Sequence, residues 1–321
     1  MLMVLLVHYN GGMHGKLSVE MYQSSVWQFI GCASLNSVVF VCVDCFIIIS
    51  GYFGIRWKWK GLLNLLFQIA FWSGLVYGIC AALGYHDFEG GVFLKRITLF
   101  LFGTNWFFIA YLGLYLMAPV LNAFISHCEE RELGRMLLAF YFFQTLFGWF
   151  TQEAVEINAG MSMVSFMGLY LTGAYVKRSS LACFKWSAWK NLSLFFAIGA
   201  LCVVISVVAA SVGINKSIYS YISPLQIVQT IYMFLFCRAL TIRRFEKVIL
   251  FFSSSAFAAF LMHYPWADGQ WLYNSGLHWI YDHIEWPFFA VCVYILGFFA
   301  IACCLDKVRA WCWNRIMKRI F

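Results

Sequence analysis

Apolar residues run along this chain in blocks near or above the ~20 residues that a helix needs to cross a bilayer, with short polar links between them. Ten blocks stand out, at residues 1–9, 36–55, 62–83, 106–126, 133–150, 161–176, 192–212, 219–240, 248–265 and 286–305. They predict an all-α, polytopic transmembrane helical bundle of about ten spans, built as a single domain over residues 1–321. Two shorter amphipathic pieces, 27–33 and 93–102, are expected in the membrane interface ahead of the second and fourth spans. No soluble domain, linker, repeat or low-complexity tract interrupts the pattern.

Composition agrees with a lipid-embedded chain. Hydrophobic residues make up 63% and charged residues 11%, against about 25% charged in soluble domains. The formal charge of +8 does not point to nucleic acid, because Lys and Arg fall in the links and form no basic face. Lys16, Lys95, Arg96 and Lys216 lie in one set of loops, while all the other basic residues lie in the alternate loops and the C-terminus. The positive-inside rule then predicts a multi-pass protein of the cell membrane with both termini cytoplasmic. The first span is abnormal: its nine residues cover about 13 Å of a core roughly 30 Å thick. No cleavable signal peptide is visible. The twelve cysteines are scattered through apolar segments as small hydrophobes. Cys42 and Cys45 form a C-x-x-C without a second pair at metal spacing, so no metal site is expected.

Polar groups inside spans carry the candidate chemistry, since a charge there costs about 2.5–3.5 kcal/mol on insertion scales. Asp44 sits mid-span with apolar residues on both sides, and its short side chain cannot reach the interface. It either locks helices together or positions a catalytic group. His8 closes the first span. A boundary His is often a plain interfacial residue, but a neutral imidazole is cheap to bury and suits proton transfer near neutral pH. An Asp within reach would fix its tautomer, which makes His8 and Asp44 a candidate pair on different helices. His263 ends the ninth span, where a helix-ending role competes with substrate contact. Asn105-Trp106-Phe107-Phe108 opens the fourth span as an aromatic belt or as a stacking surface for an acceptor. Ser50-Gly51 permits close helix packing or lines a substrate path. Arg56, Lys58 and Lys60 follow from topology, and would also attract the phosphates of a cytosolic cofactor.

Several segments together resemble the membrane acyltransferase-3 family. The apolar run closing on His8 is similar to that family's first span with its essential His. Val43-Asp44-x-Phe46-x-x-x-Ser50-Gly51-Tyr52 is similar to its V-D-x-F-F-x-x-S-G-F/Y signature. Trp106-Phe107-Phe108…Tyr111-Leu112-Gly113-Leu114-Tyr115…Pro119 and Leu261-Met262-His263-Tyr264-Pro265 resemble its W-F-L…Y-L…P and L-x-H-x-P segments. Order and spacing match over essentially the whole chain. The resemblance implies an O-acetyltransferase that uses acetyl-CoA as acyl donor, binds no permanent cofactor, and modifies a hydroxyl of a glycan or other carbohydrate acceptor at or across the membrane.

Under that reading His8 is base or transient acyl carrier and Asp44 orients it. Ser50, Trp106 and His263 contact substrate, and Arg56 with Lys58 meet the CoA phosphates. Membrane lipid is the other expected partner. There are two departures. The family's basic residue upstream of the first-span His would fall before Met1, and the basic pair after the second span is replaced by Arg56, Lys58 and Lys60. With the short first span, these predict a first helix truncated at its N-terminus and an impaired polypeptide as written. The alternative is a transporter or flippase of lipid-linked sugars, which predicts more basic residues within spans than this chain has.

Overall fold

The computed structural model describes residues 1–98, 106–242, 244–264 and 266–320, with side chains through residue 316. The described residues form fifteen α-helices. The first eight are α1 (Leu2–His14), α2 (Val19–Ser24), α3 (Val26–Val39), α4 (Cys42–Phe53), α5 (Trp59–Ala82), α6 (Gly90–Thr98), α7 (Trp106–His127) and α8 (Glu130–Phe143). A π-helical stretch, Gln144–Phe150, continues α8, and a 3₁₀ turn follows at Val155–Gly160. Then come α9 (Met163–Arg178), α10 (Ala188–Ser211), α11 (Pro224–Ala239), α12 (Glu246–Ser253), α13 (Ala256–His263), α14 (Ala267–His283) and α15 (Pro287–Ile320).

All ten predicted spans fall on helices, but among the described residues six stretches are long and apolar enough to cross a membrane. These are Val26–Phe53, Trp59–Ala82, Trp106–His127, Ala188–Ser211, Glu246–His263 and Pro287–Ile316. The other four fall short in length. Helix α1 has 13 residues, α8 has 14 before its π turn, and α9 and α11 have 16 each. Sixteen residues rise only about 24 Å, so length alone does not carry the count from six to ten. The piece expected at 27–33 is no separate element: it forms the first turns of α3, which continues into α4 through a break at Phe40–Val41. The piece at 93–102 is described only as far as Thr98, within α6; residues 99–102, like Asn105, Arg243 and Pro265, lie outside the described residues.

The chain divides into two compact units. The first holds Met1–His14, Lys58–Asn105 and Ile242–Phe321. Its centre is α13, a short helix packed against α5, α14 and α15; Ala258, Ala259 and Leu261 of α13 are buried, as are Trp72 of α5, Tyr273 of α14 and Phe298 of α15. Small residues on α13 let three larger helices close around it. Helices α12 and α13 are one apolar run broken at Ser254–Ser255. Lys307 of α15 fills the break, donating to the Phe251 carbonyl and the Ser254 hydroxyl, both at 2.8 Å. Helix α15 runs fifteen residues past the predicted end of the last span, carrying Asp306 and Arg309 into the interior at 0% and 5% exposure. Arg309 grips Asp306 with two nitrogens, at 2.8 and 3.0 Å, and donates to Asn64 Oδ1 at 2.9 Å, while the Trp72 indole donates to Asp306 at 3.3 Å. A buried pair with this many partners is satisfied rather than stranded.

The second unit holds Gly15–Trp57 and Trp106–Thr241. Its tightest seam joins α4 to α9. A Cβ at Gly51 would fall on the Tyr170 carbonyl, and one at Gly173 on the Ile48 carbonyl, so glycine at both positions lets the two backbones touch. The end of α4 is pinned by a closed ring of hydrogen bonds. The Ile55 amide donates to the Tyr170 hydroxyl (2.9 Å), that hydroxyl donates to Asn122 Oδ1 (2.7 Å), and Asn122 Nδ2 donates to the Ile55 carbonyl (2.9 Å). Gln229 of α11 similarly bridges the Ser37 and Phe195 carbonyls of α3 and α10, at 2.7 and 3.0 Å.

Candidate active site

The first unit brings two histidines together. His8, on the second turn of α1, places Nδ1 2.6 Å from Nε2 of His263, the last residue of α13. His263 Nδ1 lies 2.5 Å from the Ala259 carbonyl one turn earlier. A carbonyl can only accept, so His263 Nδ1 carries the proton and its Nε2 is a lone pair. That lone pair accepts from His8 Nδ1–H, which leaves His8 Nε2 as the basic nitrogen of a neutral ring. No hydrogen-bond partner meets His8 Nε2 among the described residues. One main-chain oxygen thus sets the tautomer of two rings in series.

Aromatic residues hold this arrangement. The His8 ring stacks on Tyr264, with centroids 3.6 Å apart and planes 5° from parallel. Tyr273 of α14 stands edge-on to His263 at 5.1 Å and donates its hydroxyl to the Leu5 carbonyl at 3.0 Å, one turn before His8. Tyr9 and Tyr281 share a hydrogen bond between their hydroxyls. Gly12 packs against Asn274, where a Cβ would sit 3.0 Å from Oδ1. Helix α14 therefore clamps α1 along its length. His263 is 1% exposed and His8 is partly exposed, so the inner ring is sealed and the outer ring can meet a reactant.

The hydropathy pattern gives no sign of α14 and no role to Tyr264 or Tyr273. Residues 267–283 mix Asp268, Gln270, Asn274 and His278 with aromatics, which hides a helical period from a hydropathy scan. The tyrosine next to His263 was the available signal.

The other candidates take separate positions. Asp44 lies in the second unit at 0% exposure, and neither carboxylate oxygen has a hydrogen-bond partner among the described residues. The partner at His8 Nδ1 is His263. Ser50 donates back to the Phe46 carbonyl at 2.9 Å, as helical serines do. Trp106, at the start of α7, lies 5.5 Å from the Tyr221 ring and 6.0 Å from Phe166. Arg56, past the pinned end of α4, and Lys58, at the N-cap of α5, are exposed.

The geometry is that of an imidazole base backed by a second imidazole, set in an apolar, aromatic surround. That arrangement suits abstraction of a hydroxyl proton during group transfer. No curated protein matches the chain, and no solved structure does. The family model for an acyltransferase domain matches residues 1–309, which take in His8, Asp44 and His263. The chain belongs to the membrane acyltransferase-3 family.

Proposed function

We propose that the acyl group this enzyme transfers is acetyl, drawn from acetyl-CoA and delivered to a hydroxyl of a carbohydrate or glycan acceptor, with His8 as the general base. The observation that carries this reading is the free Nε2 of His8, made basic by the bond that His8 Nδ1–H gives to His263. As the acceptor oxygen attacks the thioester carbonyl, its proton passes to His8 Nε2. The new imidazolium is stabilised through Nδ1–H by the His263 lone pair, and through that ring by the Ala259 carbonyl. Collapse of the tetrahedral intermediate breaks the carbon–sulfur bond, and the thiolate takes the proton from His8 Nε2. A transient acyl-imidazole at the same nitrogen fits the same geometry.

Arg56 and Lys58 are assigned to the CoA phosphates because both are exposed cations at helix ends. Trp106 offers a stacking face for a sugar ring, and Ser50 lies on the face of α4 that meets Tyr111. Asp44 remains the second candidate group, supported by its burial without a partner, which is expensive unless it serves chemistry. Basic residues concentrated in alternate loops support a cytosolic donor side and both termini inside. No feature of the site favours the transporter or flippase reading.

The test is transfer of labelled acetyl from acetyl-CoA to carbohydrate by the full-length protein in vesicles. His8→Ala and His263→Ala should each lose about 10²–10⁴-fold, the range of a general base. Wild-type rates in both variants would end the assignment. Labelled acetyl-CoA left untouched by wild type would remove the donor instead.

A further inference from the structure

Helix α11 starts Ser223-Pro224-Leu225-Gln226, an S-x-x-Q pattern with proline at the first helical position. Such a sequence forms a capping box: the serine oxygen takes the amide three residues on, and the glutamine side chain reaches back to the serine amide. Here the box is left open. The Ser223 amide donates instead to the Ser220 carbonyl at 2.9 Å, and Ser223 makes no side-chain cap bond. Ser223 Oγ, Gln226 Oε1 and Gln226 Nε2 all lack partners among the described residues, and both residues are 0% exposed. Buried polar atoms without bonds are costly, and a local remedy written into the sequence goes unused.

The chemistry around the open box selects the missing partner. The first intrahelical bond runs from the Ile227 amide to the Ser223 carbonyl at 3.0 Å, so the amides of Leu225 and Gln226 have no partner within the helix and carry its positive end. Trp149, which packs on the same apolar cluster as Leu225, has an indole N–H without a partner among the described residues. The nearby cation, Lys216, is committed to the Phe150 carbonyl at 3.1 Å and to the rings of Trp149 and Phe150. Asp44 lies further along the helix than the open box. Cys45 meets the Thr230 carbonyl and Tyr52 packs on Phe234, so α4 and α11 run parallel, with Asp44 level with Thr230. Four residues separate that level from Gln226 and seven from Ser223, about 6 and 10 Å of rise.

Neutral donors and a helix dipole, buried and with Lys216 already committed elsewhere, suit a small anion of single charge. A phosphate would need full countercharge at such burial. We propose that the start of α11 is a binding site for a small monovalent anion of chloride size, held by the Ser223 hydroxyl, the Gln226 amide and the first amides of the helix. This inference does not rest on the identity of the acyl donor or acceptor.

The test uses the purified full-length protein in maltoside micelles, with its thermal unfolding followed by tryptophan fluorescence. Gluconate is replaced by chloride or bromide at constant ionic strength. The wild-type midpoint should rise and saturate with either halide. Ser223→Ala and Gln226→Met should each raise the half-saturating halide concentration about tenfold, the effect of one lost bond of ordinary strength. Should a variant fail to fold, bromide-soaked wild-type crystals give a second readout, an anomalous peak within contact of Ser223 Oγ. Equal midpoints in all three salts, variants that respond like wild type, or no bromide peak at α11 would each overturn the proposal.

Discussion

A neutral imidazole becomes a useful base in a membrane enzyme when something fixes which nitrogen holds the lone pair. At His8 that is done by a chain of two acceptors, His263 Nε2 and the Ala259 carbonyl. Tyr273 adds a second constraint on the same pair, which separates geometry from chemistry. Tyr273→Phe keeps the ring against His263 and loses the bond to Leu5, so activity should fall less than in His263→Ala, by about tenfold. Assaying both variants side by side checks this. Asp44 makes the opposite case: among the described residues its carboxylate has no donor to lose. Asp44→Leu should therefore raise the thermal midpoint, by the equivalent of about 1–3 kcal/mol, while lowering acyl transfer. A lowered midpoint would mark it as a helix anchor. His8, Asp44 and His263 were all legible in the sequence, because polar groups stand out inside apolar runs. Their partners were not, since a hydropathy pattern says nothing about which helix faces which.

Elements are held by a few close approaches that tolerate little change. Alanine at Gly51 or Gly173 would force α4 from α9, costing about 1–3 kcal/mol by overpacking; denaturation of each single variant in micelles measures it. The Asp306–Arg309 pair behaves differently. Arg309→Met leaves a buried carboxylate and should cost about 3–5 kcal/mol, whereas joint replacement with Asp306→Leu should recover most of the loss. A double-mutant cycle would separate the two. The apolar pattern ends the last span at residue 305, where Asp306, Lys307 and Arg309 look like a cytoplasmic tail. Mutual pairing lets α15 carry them inward. At the start of α8, Glu130 accepts the Ser180 amide and the Ser179 hydroxyl, which hold its carboxyl below the ordinary value of 4.5. A carboxyl depressed on folding stabilises the fold above its unfolded pKa, and this support is lost as pH falls through the lower folded value. The wild-type unfolding midpoint should drop more steeply below pH 4.5 than that of Glu130→Gln.

Across the whole molecule, the membrane character was the most legible property, and the number of crossings the least. Val204 and Val208 of α10, and Phe288 and Phe289 of α15, are more than half exposed, as lipid-facing side chains would be. Of the predicted spans that fall short, α11 starts five residues inside its predicted block and α8 turns into π geometry, whereas α1 and α9 are at least as long as predicted. If ten helices cross, a cysteine placed at Lys216 should react with an impermeant reagent from the face opposite to one placed at Lys177. Labelling from the same face would remove that topology.

The gap between α12 and α13 bears on how the His263 ring keeps its heading. A continuous helix would transmit any inserted or deleted residue as a swing of about 100° in everything downstream. With slack at Ser254–Ser255, taken up by the Lys307 side chain, length changes in α12 are dissipated before His263, while the same change within α13 spins the imidazole off target. An indel scan of the two segments should therefore be lenient on one side of the serines and lethal on the other.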